Sequence, residues 1–559
     1  MRDELSQALQ SAAKKLFGQD VTAELTRPSE QFGDLSTNIA LQLAPKASQP
    51  PKEVAEKLVA EIKNLDFIED ASVAGPGFIN MRLKTSVLWT LAAAKMPEKL
   101  KGQEIVAEYS DPNPFKTLHA GHLYTSIVGD AIANLLENAG ANVHRVNFGG
   151  DVGLHVAKTM WAILNHSGGE ELALKHLKML ADKPLQERIV FITSCYVEGN
   201  NAYEQNAAIK PEIMELNKQI YQVQAEPDKT SLLAQIYWTA RAWSYEYFDE
   251  FYKFIGSNFE KYYPESQTAK LGLETVKANI GKVYEESDGA IVFKGEKHWL
   301  HTRVFVNSEG LPTYEAKDVG LIMHKWQDYH FDKSIVITGN DIAEYMKVVL
   351  KSIEQFMPEL AERTVHLTHG IVKLAGGVKM SSRLGNILGA TDVINIAAAA
   401  NQELTGKEDK AVTLGAIKYS FLKQRMGGDI IYDPADSVSL EGNSGPYLQY
   451  SYARACSLLG KSKKQASADT ASDLDSAERS LLRKLGEYQE VIIEATNELT
   501  PHHVCTYLYE LAQVFNSFYE KSRIIDDPRE ELRLKLVEQY AHTLKNGLSL
   551  LGIEALEQM

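Results

Sequence analysis

Cysteine is nearly missing from this chain. The three in 559 residues, Cys195, Cys456 and Cys505, are too few and too scattered for a disulfide framework or a paired-cysteine zinc site. Long apolar runs are missing too: no stretch reaches the roughly 18 uninterrupted apolar residues of a membrane span. The opening MRDELSQALQSAAKKLFG has neither the apolar core nor the small-residue cleavage site of a secretory signal. These gaps point to a cytoplasmic protein with no membrane association, buried thiols and no protein-bound zinc. Positive charge is in deficit, with 59 Lys and Arg against 74 Asp and Glu and a net charge of −15. Overall electrostatics therefore give no reason to expect a nucleic-acid partner, and only a local basic groove would bind phosphate.

What is present is an ordinary folded composition, 44% hydrophobic and 24% charged, in a chain long enough for three or four domains. Residues 1–100 read as a small α+β unit. ELSQALQSAAKKLFG puts Leu5, Ala8, Leu9, Ala12 and Leu16 on one helical face with Gly18 as a C-cap, and PPKEVAEKLVAEIKN repeats the pattern. Residues 101–165 and 280–400 read as a Rossmann-like α/β domain with a parallel sheet, from the candidate strands EIVAEYS, NVHRVNF, SIVIT and THGIVKL and a periodic helix over LYTSIVGDAIANLLENAG. Residues 166–279 are helical and aromatic-rich without strand rhythm, as in an inserted domain, and 401–440 connect to an all-α domain over 441–559.

Chemistry concentrates first in PFKTLHAGHL. His119 and His122 flank Gly121 where a candidate strand gives way to a helix, after Pro112, Asn113 and Pro114. Unpaired backbone N–H groups and the helix dipole make that position a phosphate site. Imidazoles at i and i+3 on one side of a helix can donate to charge developing on a transferring phosphate. Two histidines at this spacing are also able to hold a metal, and more often do neither. The second element is GGVKMSSRLGN, a polar loop offering Lys379, Arg383 and the Ser381 hydroxyl.

Together, HAGH and KMSSR resemble the HIGH and KMSKS signatures of the class I aminoacyl-tRNA synthetases. The closest resemblance within that class is to the arginyl-tRNA synthetase family, and it extends over nearly the whole chain: QFGDLSTNIALQLA and GPGFINMRL at the N-terminus, SDPNPFKTLHAGHL and NFGGDVGLHVAK in the middle, and EGNSGPYLQYSYARACSLL and LLGIEALEQM toward the end. The resemblance implies an arginine–tRNA ligase working through arginyl-adenylate, with ATP and Mg2+ as a substrate complex, arginine and tRNA-Arg as partners, and a monomer. It implies catalytic roles for His119, His122, Lys116, Lys379 and Arg383. The nucleotide would be held by His119, Gly121, His122, Gly339, Asp341, Lys379, Met380 and Ser381. Arginine would be held by Glu108 and Asn113 at its α-amino end, and by Glu286, Tyr314 and Asp318 at the guanidinium, which needs carboxylates because it is always charged. Tyr447, Gln449, Tyr450 and Arg454 would meet the anticodon, while Phe32 and Asn38, in the motif that includes Asp34, would meet the tRNA elbow. A small-molecule nucleotidyltransferase, which also uses HxGH, and a catalytically silent tRNA-binding relative are the other readings open at this point.

Overall fold

The computed structural model describes every residue except 226–228, 378–387, 465 and 468–472. At its centre is a sheet of five strands: β1 (Glu104–Glu108), β2 (Asn142–Gly149), β3 (Lys261–Pro264), β4 (Lys333–Gly339) and β5 (Thr364–His369), ordered β5-β4-β1-β2-β3. Every neighbouring pair is parallel. Strands of a parallel sheet are covered on both faces, and side-chain alternation assigns the residues. Ile105, Ala107, Ile335 and Ile337 join the core under helix α1 (Ala120–Asn138). Val106 and Val336 join a second core with Val319, Ile322 and Val348 on the opposite face. The chain runs outward from β1 to β2 and β3, then returns to the other side of β1 for β4 and β5. Strand order thus reverses between β1 and β4, and the carboxyl ends of the strands at such a reversal are where open α/β sheets bind ligands.

Two sequence expectations are corrected here. The stretch 166–279, read as lacking strands, contains β3, the sheet's edge strand. Four residues bounded by tyrosine and proline give too short a period to stand out from an aromatic helical tract. THGIVKL is two strands: β5 ends at His369, and Val372–Leu374 leaves the central sheet to pair with Ile430–Tyr432.

The inserted helices, including α2 (Leu232–Ile255), have their own core, and Phe115 from the β1–α1 connection is buried inside it. Its backbone N–H also donates to Ser244 on α2 at 3.0 Å. The loop that carries the histidine motif is therefore pinned at one end by the sheet and at the other by the insertion. Helix α3 (Tyr314–Tyr329) crosses helix Glu265–Ala278 closely. A Cβ at Gly272 would lie 1.8 Å from the Ala316 carbonyl oxygen, which leaves no room for a side chain.

At the N-terminus, helices Arg2–Phe17 and Pro51–Ile62 pack on a three-stranded antiparallel sheet. The C-terminal part is helical and starts with α4 (Gly445–Lys461). The segment AERSLLRKLGEYQEVIIEATN forms two helices, Ser476–Leu485 and Tyr488–Glu498. The two ends of the chain meet at Asp34, which is buried, accepts Leu83 N–H at 2.7 Å and pairs with Arg479 at 2.6 Å. Among the described residues no helix is long and apolar enough to cross a membrane.

Helix α1 lies close to the end of β1 because residue 129 is glycine. A Cβ there would sit 2.2 Å from the buried Tyr109 ring, whose hydroxyl donates to Asp130 at 2.6 Å. Gly129→Ala is expected to destabilise by roughly 1–3 kcal/mol, the cost of overpacking a close contact. Denaturant unfolding checks this, and a midpoint equal to wild type would contradict the packing.

Candidate active site

The two histidines of HAGH cap helix α1 reciprocally. His119 occupies the N-cap position, and its Nδ1 accepts the Gly121 N–H at 3.1 Å. The His119 N–H donates in turn to Nδ1 of His122, also at 3.1 Å, and the rings stack with centroids 3.7 Å apart. Two of the helix's unpaired N–H groups are thereby satisfied by imidazoles in place of the usual Ser or Asp. With both Nδ1 atoms accepting, each neutral ring must carry its proton on Nε2. Burial, followed by the nearby Lys116 and His369, lowers His119 to about 4 against the weaker opposing pull of Asp341. Burial, then His119 and Lys116, pushes His122 well below 6.5. Both are uncharged hydrogen-bond donors at neutral pH.

Other groups converge on this pair. Lys116 lies 4.8 Å over the Tyr196 ring of the insertion, and burial and Lys158 lower its affinity for a proton. Asp341 follows Gly339 at the end of β4, where its charge acts on both His119 and His369. His369, at the end of β5, donates from Nδ1 to the Gly370 carbonyl at 2.6 Å and packs edge-on to Tyr124. The chain after residue 387 returns to the motif: Ala120 N–H donates to the Leu388 carbonyl at 2.8 Å and Ala390 N–H to that of Leu118 at 3.0 Å. Lys379, Met380, Ser381 and Arg383 lie outside the described residues.

The acids gather on the other side of β1. Glu108, at the carboxyl end of the strand, is buried and bonded to Lys325 of α3, itself fully buried. Asp318, two turns earlier on the same helix, is buried and accepts the Tyr345 hydroxyl. Burial, with the charges of Glu108 and Glu265, raises its carboxyl well above the usual range. Glu265 and Lys317 form a second buried pair at 2.6 Å. Tyr314 is exposed at the start of α3, with the Lys317 ammonium 5.0 Å over its ring. Asn113 Oδ1 accepts the Gly150 N–H at 2.8 Å, which ties the loop after β1 to the end of β2. Glu286 is exposed on the strand Glu285–Ser287 and makes no hydrogen bond or ion pair among the described residues, so it does not join the buried acids.

The C-terminal candidates divide. Arg454 stacks over Tyr450 and Tyr519 with its guanidinium 5.0 and 5.1 Å from the rings, and Asn516 bridges it to the Tyr447 hydroxyl. Tyr450 and Tyr519 are exposed. Gln449 corrects the expectation: it is fully buried, with its amide donating to the carbonyls of Ala411 and Glu554, and so packs the domain and offers nothing to a partner. Phe32 is exposed, and Asn38 precedes helix Ile39–Ala47 and accepts from Gln42 at 2.9 Å.

Sequence reading missed Lys325, Glu265, Lys317, Tyr345, Tyr519 and His369. Only Lys325 left a trace, since Asp318 and Lys325 are seven residues apart on one helical face.

The capping geometry makes a spectroscopic prediction. In protein labelled with 15N-histidine, with His119→Asn and His122→Asn used for assignment, both rings should be neutral at pH 6 with protonated Nε2, and His119 should titrate near 4. Protonated Nδ1 on either ring, or a His119 titration near 6.5, would contradict the cap.

Comparison with known proteins agrees across the whole length. The model of the arginyl-tRNA synthetase N-terminal domain matches residues 1–83, that of the class I (R) tRNA synthetase catalytic domain residues 86–433, and that of the DALR anticodon-binding domain residues 448–559. The arginine–tRNA ligase of Bdellovibrio bacteriovorus is 31% identical over 563 residues, covering 95% of this chain and 93% of its own. That of Phocaeicola vulgatus is 28% identical and covers 100% of both. The solved structure of Thermus thermophilus arginyl-tRNA synthetase superposes with a TM-score of 0.80 at 25% identity, covering 100% of both chains. A match that includes a C-terminal anticodon-binding domain has no place for a stand-alone nucleotidyltransferase. The chain belongs to the arginyl-tRNA synthetase family of the class I aminoacyl-tRNA synthetases.

Proposed function

We propose that the crevice between β1 and β4 divides its labour by charge, with the capping imidazoles and Lys116 on the nucleotide and the buried acids on arginine. The chain is an arginine–tRNA ligase that activates arginine with ATP and passes it to tRNA. The arginine carboxylate oxygen attacks the α-phosphorus, the bond to the bridging oxygen breaks, and pyrophosphate leaves. The tRNA terminal ribose hydroxyl then attacks the carbonyl of arginyl-adenylate, and AMP leaves.

The observation that carries the division is the reciprocal cap, which leaves two Nε2–H donors fixed in place and uncharged. Donors held before reaction stabilise developing phosphate charge without reorganisation. Because they are neutral, they do not repel the cationic arginine. Lys116 supplies positive charge, Lys379 and Arg383 add to it, and Gly339 and Asp341 take the nucleoside end. Positioning does most of the work, and no protein nucleophile is required. Asp318 and Tyr314 take the guanidinium, with Glu108 and Asn113 at the α-amino end. In the helical domain, Tyr447, Tyr450, Tyr519 and Arg454 make a stacking surface suited to unpaired bases, and Phe32 and Asn38 face tRNA at the other end of the chain. Catalytic and RNA-binding units in one polypeptide support a monomer as the working form. Water-borne substrates support a cytoplasmic location, with Mg2+ entering on ATP and no zinc required.

His119→Asn and His122→Asn retain an acceptor near the Nδ1 position and lack the Nε2–H donor. Each is expected to slow arginine-dependent pyrophosphate exchange by about 10²–10³ with unfolding midpoints unchanged, and a wild-type rate would contradict the assignment. Exchange measured across all amino acids, with and without tRNA, should respond to arginine alone. Exchange driven by another amino acid would overturn the specificity.

A further inference from the structure

Lys116 is half-buried, and among the described residues its ammonium makes no hydrogen bond or ion pair. What it meets is a ring, that of Tyr196 in the insertion, at 4.8 Å. The charges acting on it most are a second ammonium, Lys158, and the acid Glu265, in opposite directions. Both of those are committed elsewhere: Lys158 donates to Asn200 at 2.9 Å and to Glu204 at 3.2 Å, and Glu265 holds Lys317 at 2.6 Å. Lys116 is left with its charge unspent. That charge reaches both capping imidazoles and His155, which places it beside the nucleotide end of the proposed site.

The helix that carries Tyr196, Leu185–Gln205, serves both lysines. Tyr196, Asn200 and Glu204 are four residues apart and form one stripe, which offers a ring to Lys116 and an amide and a carboxylate to Lys158. Gly199 seats that stripe. A Cβ there would lie 1.9 Å from the Lys158 carbonyl oxygen, so the helix presses directly on helix Leu154–Ser167. On the other side of the contact, the Phe115 ring is buried in the insertion's core with its centroid 5.6 Å from that of Tyr237. The residue before Lys116 and the ring that meets its ammonium are thus fixed to the same set of helices. A ring also suits this cation better than an acid. A carboxylate would cancel its charge and occupy its N–H donors, whereas an aromatic face attracts an ammonium through its quadrupole and leaves charge and donors for a phosphate.

We infer that Tyr196 is a positioning residue for the activation of arginine: its ring holds the Lys116 ammonium for the triphosphate without neutralising it. The insertion thereby takes part in the first chemical step. The inference rests on the proposed role of Lys116 and adds to it the residue that aims it.

The test is arginine-dependent pyrophosphate exchange by the full-length enzyme with tRNA present, in Tyr196→Leu, Tyr196→Phe, Lys116→Gln and the double variant Lys116→Gln with Tyr196→Leu. Tyr196→Leu should lower kcat by about three- to tenfold, the worth of a partly desolvated cation–π contact, with the KM for arginine unchanged. Tyr196→Phe keeps the ring face and should run within about twofold of wild type. In the Lys116→Gln background, itself slow, Tyr196→Leu should have no further effect, because the contact has already lost one partner. An equal loss in both backgrounds, Tyr196→Phe as slow as Tyr196→Leu, or Tyr196→Leu at the wild-type rate would overturn the inference. Lys116→Gln at the wild-type rate would overturn the proposed role of Lys116 itself, and the inference with it. Should Tyr196→Leu unfold the insertion, pentafluorophenylalanine at position 196 replaces it as the probe, since it keeps the shape of phenylalanine and reverses the charge of its face. It should be slow where Tyr196→Phe is fast, and equal rates would contradict the inference.

Discussion

The helix cap built from His119 and His122 is the constraint on which the rest of the site depends. A helix beginning at the carboxyl edge of a parallel sheet exposes unpaired N–H groups that attract anions. Here two of those groups are spent on Nδ1 atoms. The helix gives up some of its own anion affinity and gains two imidazoles with fixed tautomers and a free Nε2–H each. Buried beside Lys116 and His369, the rings stay neutral. Charged rings would lose the cap, because a protonated Nδ1 cannot accept. Tautomer, orientation and charge state are thus one fact, set by the position of two backbone N–H groups.

Neutral donors solve a problem specific to this pair of substrates. An arginine–tRNA ligase must accept a polyanion and a molecule carrying two positive charges, and in the site proposed above the two meet within one crevice. Strong cations throughout would repel arginine, and bare acids throughout would repel ATP. Lys116 and the histidines lie around the start of α1, while Glu108 on β1 and Asp318 on α3 are buried on the other face of the sheet. The close crossing of α3 with helix Glu265–Ala278 holds Glu265 against Lys317, and the insertion's core grips Phe115. These contacts keep the loop between β1 and α1 in a strained conformation that three non-glycine residues, Ser110, Asp111 and Phe115, would not adopt unaided.

Periodicity and signature spacing made much of this legible. The helices around Leu5 and Leu9, the α1 stripe and the strands β1, β2 and β4 follow from local pattern, because burial of one face dictates where apolar residues fall. HAGH was readable for the same reason, since motif and position in the fold coincide. What escaped depends on contacts between distant residues. Lys325 meets Glu108 across 217 positions, and a lysine in an amphipathic helix looks the same whether it faces water or a buried acid. Gln449 shows the converse error: it adjoins the exposed Tyr450, but one step along a helix turns a side chain by roughly 100°, enough to bury it. Glu286 comes from the same resemblance as Asp318, but it is exposed where Asp318 is buried, a difference that the local pattern does not show.

The most direct measurement of the central claim is a crystal structure with a sulfamoyl analogue of arginyl-adenylate bound. The cap places both imidazole Nε2 atoms within hydrogen-bonding distance of the sulfamoyl group, with the guanidinium on Asp318. Electron density with that group away from both rings, or with the guanidinium remote from Asp318, would contradict it.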